Sequence, residues 1–176
     1  MSAEQNKAFP YRRVLLLGCG GSGKSTLSRQ LVQKTGLPLI HLDKEYWHPG
    51  WVKTPREEWR GRVAEMVKGD RWIIDGNFSN SLDIRLPRCD CVLLLDYSRM
   101  TCVLGVIRRV VSGLGRTRPD MGEGCPEKAD LSFLKWVWNF RKKELPGILE
   151  KINEFPDKTV IVFKDRKQAR NWLEAL

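Results

Sequence analysis

Gly18-Cys19-Gly20-Gly21-Ser22-Gly23-Lys24-Ser25 satisfies the pattern G-x-x-x-x-G-K-[ST] at every fixed position. Its flanks agree with it. Val14-Leu15-Leu16-Leu17 reads as a fully buried strand, and Ser25-Thr26-Leu27-Ser28-Arg29-Gln30-Leu31-Val32 places apolar residues at helical spacing, so the octapeptide joins a strand to a helix. Such a glycine-rich turn lets successive backbone N–H groups converge on an anion at the positive end of the helix. The ligand expected is a nucleoside triphosphate, ATP, held by Gly18, Gly20, Gly21, Ser22, Gly23, Lys24, Ser25 and Thr26. Lys24 is placed to reach the β- and γ-phosphates, and the Ser25 hydroxyl to take one position on Mg²⁺. Gly18, Gly20 and Gly23 also fit the looser dinucleotide pattern G-x-G-x-x-G, with Asp43 about 20 residues further on, but that pattern has no use for the Lys-Ser pair.

With 176 residues, the chain is expected to form one domain over 1–176. No apolar run approaches the ~20 residues of a membrane span, and the polar start Ser2-Ala3-Glu4-Gln5-Asn6-Lys7 leads into no signal-peptide core, so a cytoplasmic protein with no membrane partner is expected. Cysteines 19, 89, 91, 102 and 125 are odd in number and lack C-x-x-C spacing, which argues against a disulfide framework or zinc site and for buried, reduced thiols. Lys and Arg outnumber Asp and Glu by 31 to 21, a net charge of +10. That excess suits nucleic acid, an anionic membrane or a polyanionic small molecule, and a cleft for phosphates accounts for part of it. Nothing in the pattern fixes an oligomeric state.

In chain order, residues 1–10 read as a mobile lead-in, 12–17 as the first strand and 24–34 as the first helix, ended by Gly36. Residues 37–43 read as a second strand ending at Asp43, followed by an aromatic loop, Lys44 to Trp51, suited to binding; the acceptor loop as a whole spans about 43–59. Trp47 and Trp51 either stack on a ring or pack the loop down. Thr54 is expected as N-cap of a helix with Pro55 at its first position and Val63, Met66 and Val67 facing inward. Strands follow at 71–76 and 89–95, with a short helix or turn between them over 79–86. Residues 100–111 are helical. The stretch from 113 to 128, rich in Gly, Pro and charge, reads as a mobile lid. Helices over 130–144 and 148–155, separated by Pro146, precede a fifth strand at 159–163 and a closing helix from Arg166. Alternation of strands and helices predicts a parallel sheet covered on both faces.

Phosphoryl transfer needs positioning, a metal and positive charge around the moving group. Asp75 and Asp96 each end an apolar run, so either suits Mg²⁺ opposite Ser25; Asp43 is similarly placed for chemistry at a strand end. Arg108, Arg109, Arg116 and Arg118 lie in or before the lid, where closure brings guanidinium groups to the phosphates or leaves them as a solvated basic face.

Together these stretches resemble the small P-loop kinases of the adenylate kinase and shikimate kinase type. Over residues 12–165 they are more closely similar to the bacterial topology modulation proteins, through His41-Leu42-Asp43 with Trp47, Asp75-Gly76-Asn77-Phe78 with Arg85, and Arg116-Thr117-Arg118-Pro119-Asp120. The resemblance implies a P-loop NTPase fold of the nucleoside-monophosphate-kinase kind, with five parallel strands in the order 2-3-1-4-5. It also implies transfer of the γ-phosphoryl group of MgATP to a small acceptor such as a nucleotide or nucleoside. Lys24 and Ser25 become the ATP and Mg²⁺ residues, Asp75 a second metal-site residue, and Arg109, Arg116 and Arg118 the lid arginines. Three departures stand out. Asn77-Phe78-Ser79 replaces the aromatic-Pro-Arg of adenylate kinases, leaving Arg85 as the nearby substitute for gripping an acceptor phosphate. Asp43 stands near their missing Thr-Gly-Asp element, as a general base for a hydroxyl acceptor or as a binding group. Gly105 occupies the position of their adenine-covering arginine, which leaves that role to Arg108 or to nobody. The same resemblance and the basic charge motivate a second reading, a nucleic-acid-binding or DNA-topology protein with a regulatory nucleotide site; it ranks below the kinase because no reading helix or aromatic RNA motif is present.

Overall fold

The computed structural model describes residues 9–176, so the lead-in expected at 1–10 lies, up to residue 8, outside the described residues. Its end is packed: the Phe9 ring sits edge-on to Tyr11 and Trp172, with centroids 5.3 and 6.2 Å away.

The strands β1 (Arg13–Gly18), β2 (Leu39–His41), β5 (Trp72–Asp75), β6 (Cys91–Leu95) and β7 (Thr159–Phe163) form one parallel sheet in the order β2-β5-β1-β6-β7. Counting only these five in chain order, the arrangement is 2-3-1-4-5. Strands β1, β5 and β6 are buried along almost their whole length, which is why they read as unbroken apolar runs. A two-stranded antiparallel ribbon, β3 (Trp47–His48) with β4 (Val52–Lys53), stands apart from the sheet.

Helix α1 (Lys24–Thr35) follows the glycine-rich loop and ends at Gly36, whose left-handed conformation lets its N–H reach the Val32 carbonyl. Then come α2 (Leu42–Tyr46), α3 (Arg56–Met66), the short α4 (Leu82–Arg85), α5 (Arg99–Gly113), α6 (Leu131–Lys143), α7 (Leu145–Asn153) and α8 (Arg166–Glu174). Ser98, Asp130 and Asp165 cap α5, α6 and α8, each accepting the N–H three residues on. Pro146 sits in the first turn of α7, where a missing N–H costs nothing.

Three local expectations fail. Pro146 does not separate the two helices, which part at Glu144, so that α7 begins at Leu145 rather than 148. The second strand stops at His41, and Asp43 lies in the first turn of α2, because the Leu42 side chain is drawn into the core and packs over Gly76. Thr54 does not cap α3; its hydroxyl donates to the Tyr46 carbonyl at 2.6 Å and lies 3.2 Å from His48 Nε2, closing the β3–β4 hairpin instead. The inward face of α3 is Trp59 and Val63, with Val67 just beyond, while Met66 is only partly covered. All five cysteines are free and buried.

Candidate active site

The loop from Gly18 to Ser25 sits at the carboxyl end of β1, between β5 and β6, the crevice where open parallel sheets bind ligands. It opens onto a cleft of about 1570 Å³ whose wall includes Gly20 to Thr26, Asp43, Asp75, Asn77, Arg109, Arg118 and Asp120. Helix α5 holds the loop from behind at van der Waals distance. A Cβ on Gly105 would lie 2.1 Å from the Gly21 carbonyl oxygen, and a Cβ on Gly21 would lie 2.2 Å from the Cys102 carbonyl oxygen. Gly105 is thus a backbone-to-backbone packing point. Arg166, from the start of α8, donates to the same Gly21 carbonyl at 3.3 Å.

Gly23 caps α1 without a side-chain hydrogen bond, and the first turn of α1 holds no acidic residue, so the helix end is left to an anion. Lys24 Nζ donates to the Gly18 and Cys19 carbonyls at 2.9 and 3.0 Å, folded back over its own loop. Ser22 Oγ is buried with no partner. The root of the loop is fixed by Asn77, whose side-chain amide accepts from the Gly18 N–H at 2.9 Å and donates to the Gly18 carbonyl at 2.6 Å.

The carboxylates separate into distinct settings. Asp75 is buried at the end of β5, in register with His41, and its Oδ2 lies 2.9 Å from His41 Nδ1. Asp43 lines the cleft; burial raises its pKa, Lys24 and Arg118 pull it back, and Asp75 and Asp120 push it further up. Asp120, from the segment 113–128, accepts from Arg118 Nη1 at 3.0 Å and lies beside the Ser25 side chain. Burial works against its charge, yet Arg118 and Ser25 outweigh it and hold Asp120 below the usual carboxylate range. Asp96 is outside the cleft wall: its oxygens lie 2.9 Å from Arg141 Nε and 2.6 Å from Lys164 Nζ. No group of three or more His, Cys, Asp or Glu side chains is arranged to hold a metal among the described residues.

Past Gly113, the last residue of α5, the segment to residue 128 has no helix or strand beyond isolated bridges, in keeping with its composition, but its middle is folded inward. Asp120, Met121, Cys125 and Glu127 are buried, and Gly122 packs so closely on Trp47 that a Cβ would lie 2.0 Å from its carbonyl oxygen. Segment 113–128 and the aromatic loop after Asp43 are therefore in contact. Glu127 joins two of the expected arginines: its Oε1 lies 3.0 Å from Arg109 Nη2, and its Oε2 lies 3.0 Å from Arg118 Nε. Burial and the neighbouring Arg118 lower the Arg109 pKa despite Glu127. Arg109 also lies over the Phe133 ring, 5.3 Å from its centroid. Arg116 is exposed and absent from the cleft wall, whereas the exposed Arg108 lines it.

Arg85 is not an acceptor clamp. It is fully buried and donates to the Ser81, Gly76, Asn77 and Phe78 carbonyls. Those carbonyls converge because Phe78 has a left-handed backbone (φ 37°), a conformation that is costly for an aromatic residue and that the guanidinium holds in place. Trp47 and Trp51 line the cleft and also contact each other edge-on, so packing and exposure to a ligand coexist. Sequence reasoning missed Asn77 as a loop anchor, Glu127 as the bridge between arginines and Arg166 as a loop contact. Asp120 stood within a quoted motif but carried no role; its spacing two residues after Arg118 was the available signal.

No protein-family model matches the sequence, and no curated protein matches it. Among solved structures the chain is similar to a shikimate kinase from Bacteroides thetaiotaomicron, with a TM-score of 0.51 and 17% identity over 93% of this chain and 95% of that one. It is also similar to a gluconokinase from Sinorhizobium meliloti 1021, with a TM-score of 0.54 and 16% identity over 93% of this chain and 88% of that one. The five-stranded parallel sheet around a phosphate-binding loop is the P-loop NTPase fold that this chain shares with those two proteins.

Proposed function

We propose that this protein is an ATP-dependent phosphotransferase that moves the γ-phosphoryl group of MgATP to a hydroxyl of a small acceptor. The carrying observation is the placement of Asp43, a carboxylate with a raised pKa, in the same cleft as Lys24 and the free N-terminal end of α1. A base with a pKa nearer neutrality takes a hydroxyl proton more effectively than an ordinary exposed carboxylate. The two structural neighbours, a shikimate kinase and a gluconokinase, point to the same reaction class. The closer kinship with the topology modulation proteins rests on the motifs alone.

The residues present fit ATP and Mg²⁺. The first turn of α1 and Lys24 suit a triphosphate, and the Ser25 hydroxyl beside Asp120, with Asp75 nearby, supplies the hard oxygen donors that Mg²⁺ prefers. Bound Mg²⁺ would spread the charge of the β- and γ-phosphates. Lys24 leaves the loop carbonyls to meet those phosphates. Arg118 exchanges Asp120 for the transferring group as segment 113–128 acts as a lid, and Arg109 stays anchored on Glu127. Asp43 orients the acceptor hydroxyl and takes its proton. Because Arg85 is withdrawn into the backbone, the acceptor is held by its hydroxyls and its ring or carbon skeleton against Trp47 and Trp51, rather than by a phosphate in a guanidinium fork.

The nucleic-acid reading draws less on the arginines around the cleft, since Arg109 and Arg118 are engaged with the buried Glu127, and the net charge of +10 remains its one support. A screen of nucleosides, nucleotides, sugars and cyclic polyols for acceptor-dependent ADP release tests the proposal. Lys24→Ala should abolish the signal and Asp43→Asn should reduce it severely; full activity in Lys24→Ala would refute the proposal.

A further inference from the structure

We infer that the outer face of α5 and α6 is the interface through which two copies of this chain associate. Seven large apolar side chains are concentrated there and exposed: Met100, Leu104, Ile107 and Val111 on α5, Leu114 at its end, and Leu131 and Trp138 on α6. None of them lines the cleft. The four on α5 recur at steps of four, three and four, so they fall on one narrow stripe opposite the buried Cys102 and Val106. Leu131 and Trp138 are seven apart and share one side of α6.

The two helices make one continuous surface. Arg99 at the start of α5 lies 5.0 Å over the Trp138 ring, while Leu114 at its other end bridges to Glu127, just before Leu131. Val111 and Leu131 are 79% and 82% exposed, a large unfavourable hydration for residues of this kind. Together the seven expose on the order of 800 Å², what one partner contributes to a standard interface and more than the roughly 300–600 Å² patch of a typical monomer.

The shape of the stripe favours a second copy as the occupant. Two α5 helices related by a two-fold axis near Leu104 and Ile107 bring Met100 against the partner's Val111 and Leu104 against the partner's Ile107, a self-complementary seam flanked by α6 on each side. The centre of the stripe is uncharged, as interface cores are. Helices α5 and α6 hold no Asp or Glu, but Arg109 and Arg141 turn inward to Glu127 and Asp96, and Arg99 is stacked on Trp138. Lys135 and Lys142 share the side of α6 that carries Leu131 and Trp138, so each copy flanks the α5 seam with a basic row whose repulsion salt screens, while Arg108 lines the cleft.

Sedimentation equilibrium on the full chain over a range of protein and salt concentrations tests this. Wild type should show twice the monomer mass, with association strengthened by salt. Leu104→Glu/Val111→Glu should weaken the dimer about a hundredfold or more, because it buries unpaired carboxylates in the seam, while retaining the wild-type circular dichroism spectrum. Leu104→Ala/Val111→Ala, which adds no charge, should weaken it less and serves as a check should the first variant fold poorly. A wild-type monomer at every concentration would overturn the inference, and so would a dimer indifferent to both variants. A monomer that instead binds phosphatidylglycerol vesicles through Leu104 and Val111 would assign the face to an anionic lipid surface and equally overturn it.

Discussion

Gly105→Ala is a change of one methyl group whose effect on stability should differ sharply from its effect on function. The added Cβ would lie 2.1 Å from the Gly21 carbonyl oxygen, 2.9 Å from the Gly21 carbonyl carbon and 3.0 Å from an Arg166 guanidinium nitrogen. Arg166 is the end of a flexible side chain and yields. The Gly21 backbone is the phosphate loop itself, and restoring ordinary contact requires loop and helix to part by about 1 Å. Overpacking of this kind costs about 1–3 kcal/mol, and the better helix propensity of alanine returns about 0.5–1 kcal/mol. The net loss is about 0–2.5 kcal/mol, which for a chain of this length lowers Tm by at most roughly 10 °C. Displacing phosphate-binding groups by about 1 Å, however, costs on the order of a hundredfold in turnover. Thermal melting monitored by circular dichroism, with titration of a fluorescent ATP analogue, separates the two effects. Gly61→Ala is the control: Gly61 is exposed within α3 and a Cβ there meets nothing within 4 Å, so it should gain about 0.5–1 kcal/mol and bind the analogue as wild type does. If Gly105→Ala binds the analogue normally and melts no lower than Gly61→Ala, the close packing of α5 on the loop is wrong.

Asp43→Asn should raise Tm at neutral pH while suppressing turnover. A folded-state pKa above the unfolded value gives stability that is fully present below the unfolded pKa and lost as pH rises through the folded one, so the charged carboxylate is a liability near pH 7. In wild type the acid limb of kcat against pH should lie above the ordinary carboxylate range, and in Asp43→Asn that limb should vanish; an unchanged profile would remove Asp43 from the base role. Asp120→Asn should act in the opposite sense on stability, since the lowered pKa of Asp120 contributes stability above its unfolded pKa that disappears as pH falls through the folded one. Urea melts at acid and neutral pH should show the Asp120→Asn deficit only at the higher pH. Arg85→Met should cost about 3 kcal/mol or more in urea unfolding, because it leaves a cluster of buried carbonyls without a donor. A loss below about 1 kcal/mol would mean that water replaces the guanidinium there. Arg118→Ala should lower kcat far more than it weakens ATP-analogue binding, whereas Arg116→Ala, on an exposed residue outside the cleft wall, should do less; equal effects would return both to a generic basic surface.

These expectations divide along the line between what is local in the chain and what is not. Strand β7 was legible to the residue and β1 and α1 to within one, because a run such as Thr159-Val160-Ile161-Val162-Phe163 and the helical spacing after Gly23 carry their own geometry. The phosphate loop was legible for the same reason: its pattern specifies a backbone path, and Gly21 and Gly23 take up the positive φ values that path requires. Thr54 marks where local rules give way. Its letter suits a helix cap, but the β3–β4 hairpin brings the Tyr46 carbonyl within 2.6 Å and takes the hydroxyl first. Arg85 marks it more strongly. An arginine after Asp-Gly-Asn-Phe looks the same in sequence whether it faces a substrate or the chain, and the choice depended on the left-handed turn at Phe78, which aims several carbonyls at one point.

The lid arginines show why site roles are harder to read than site positions. Arg109 and Arg118 were identifiable as basic residues near a flap, yet what each can do depends on Glu127, 18 residues from one and nine from the other, whose two oxygens take one arginine each. Arg109, half-desolvated over Phe133, has little freedom to leave. Arg118 has a second carboxylate, Asp120, which lies beside Ser25, so both of its anchors stand at the mouth of the loop. The neighbourhood of Ser25, Arg118 and Asp120 is thus built from three side chains spread over nearly a hundred residues. No window of sequence contains it, and it exists only because Gly122 lets the lid backbone settle against Trp47 and carries Asp120 down to the loop.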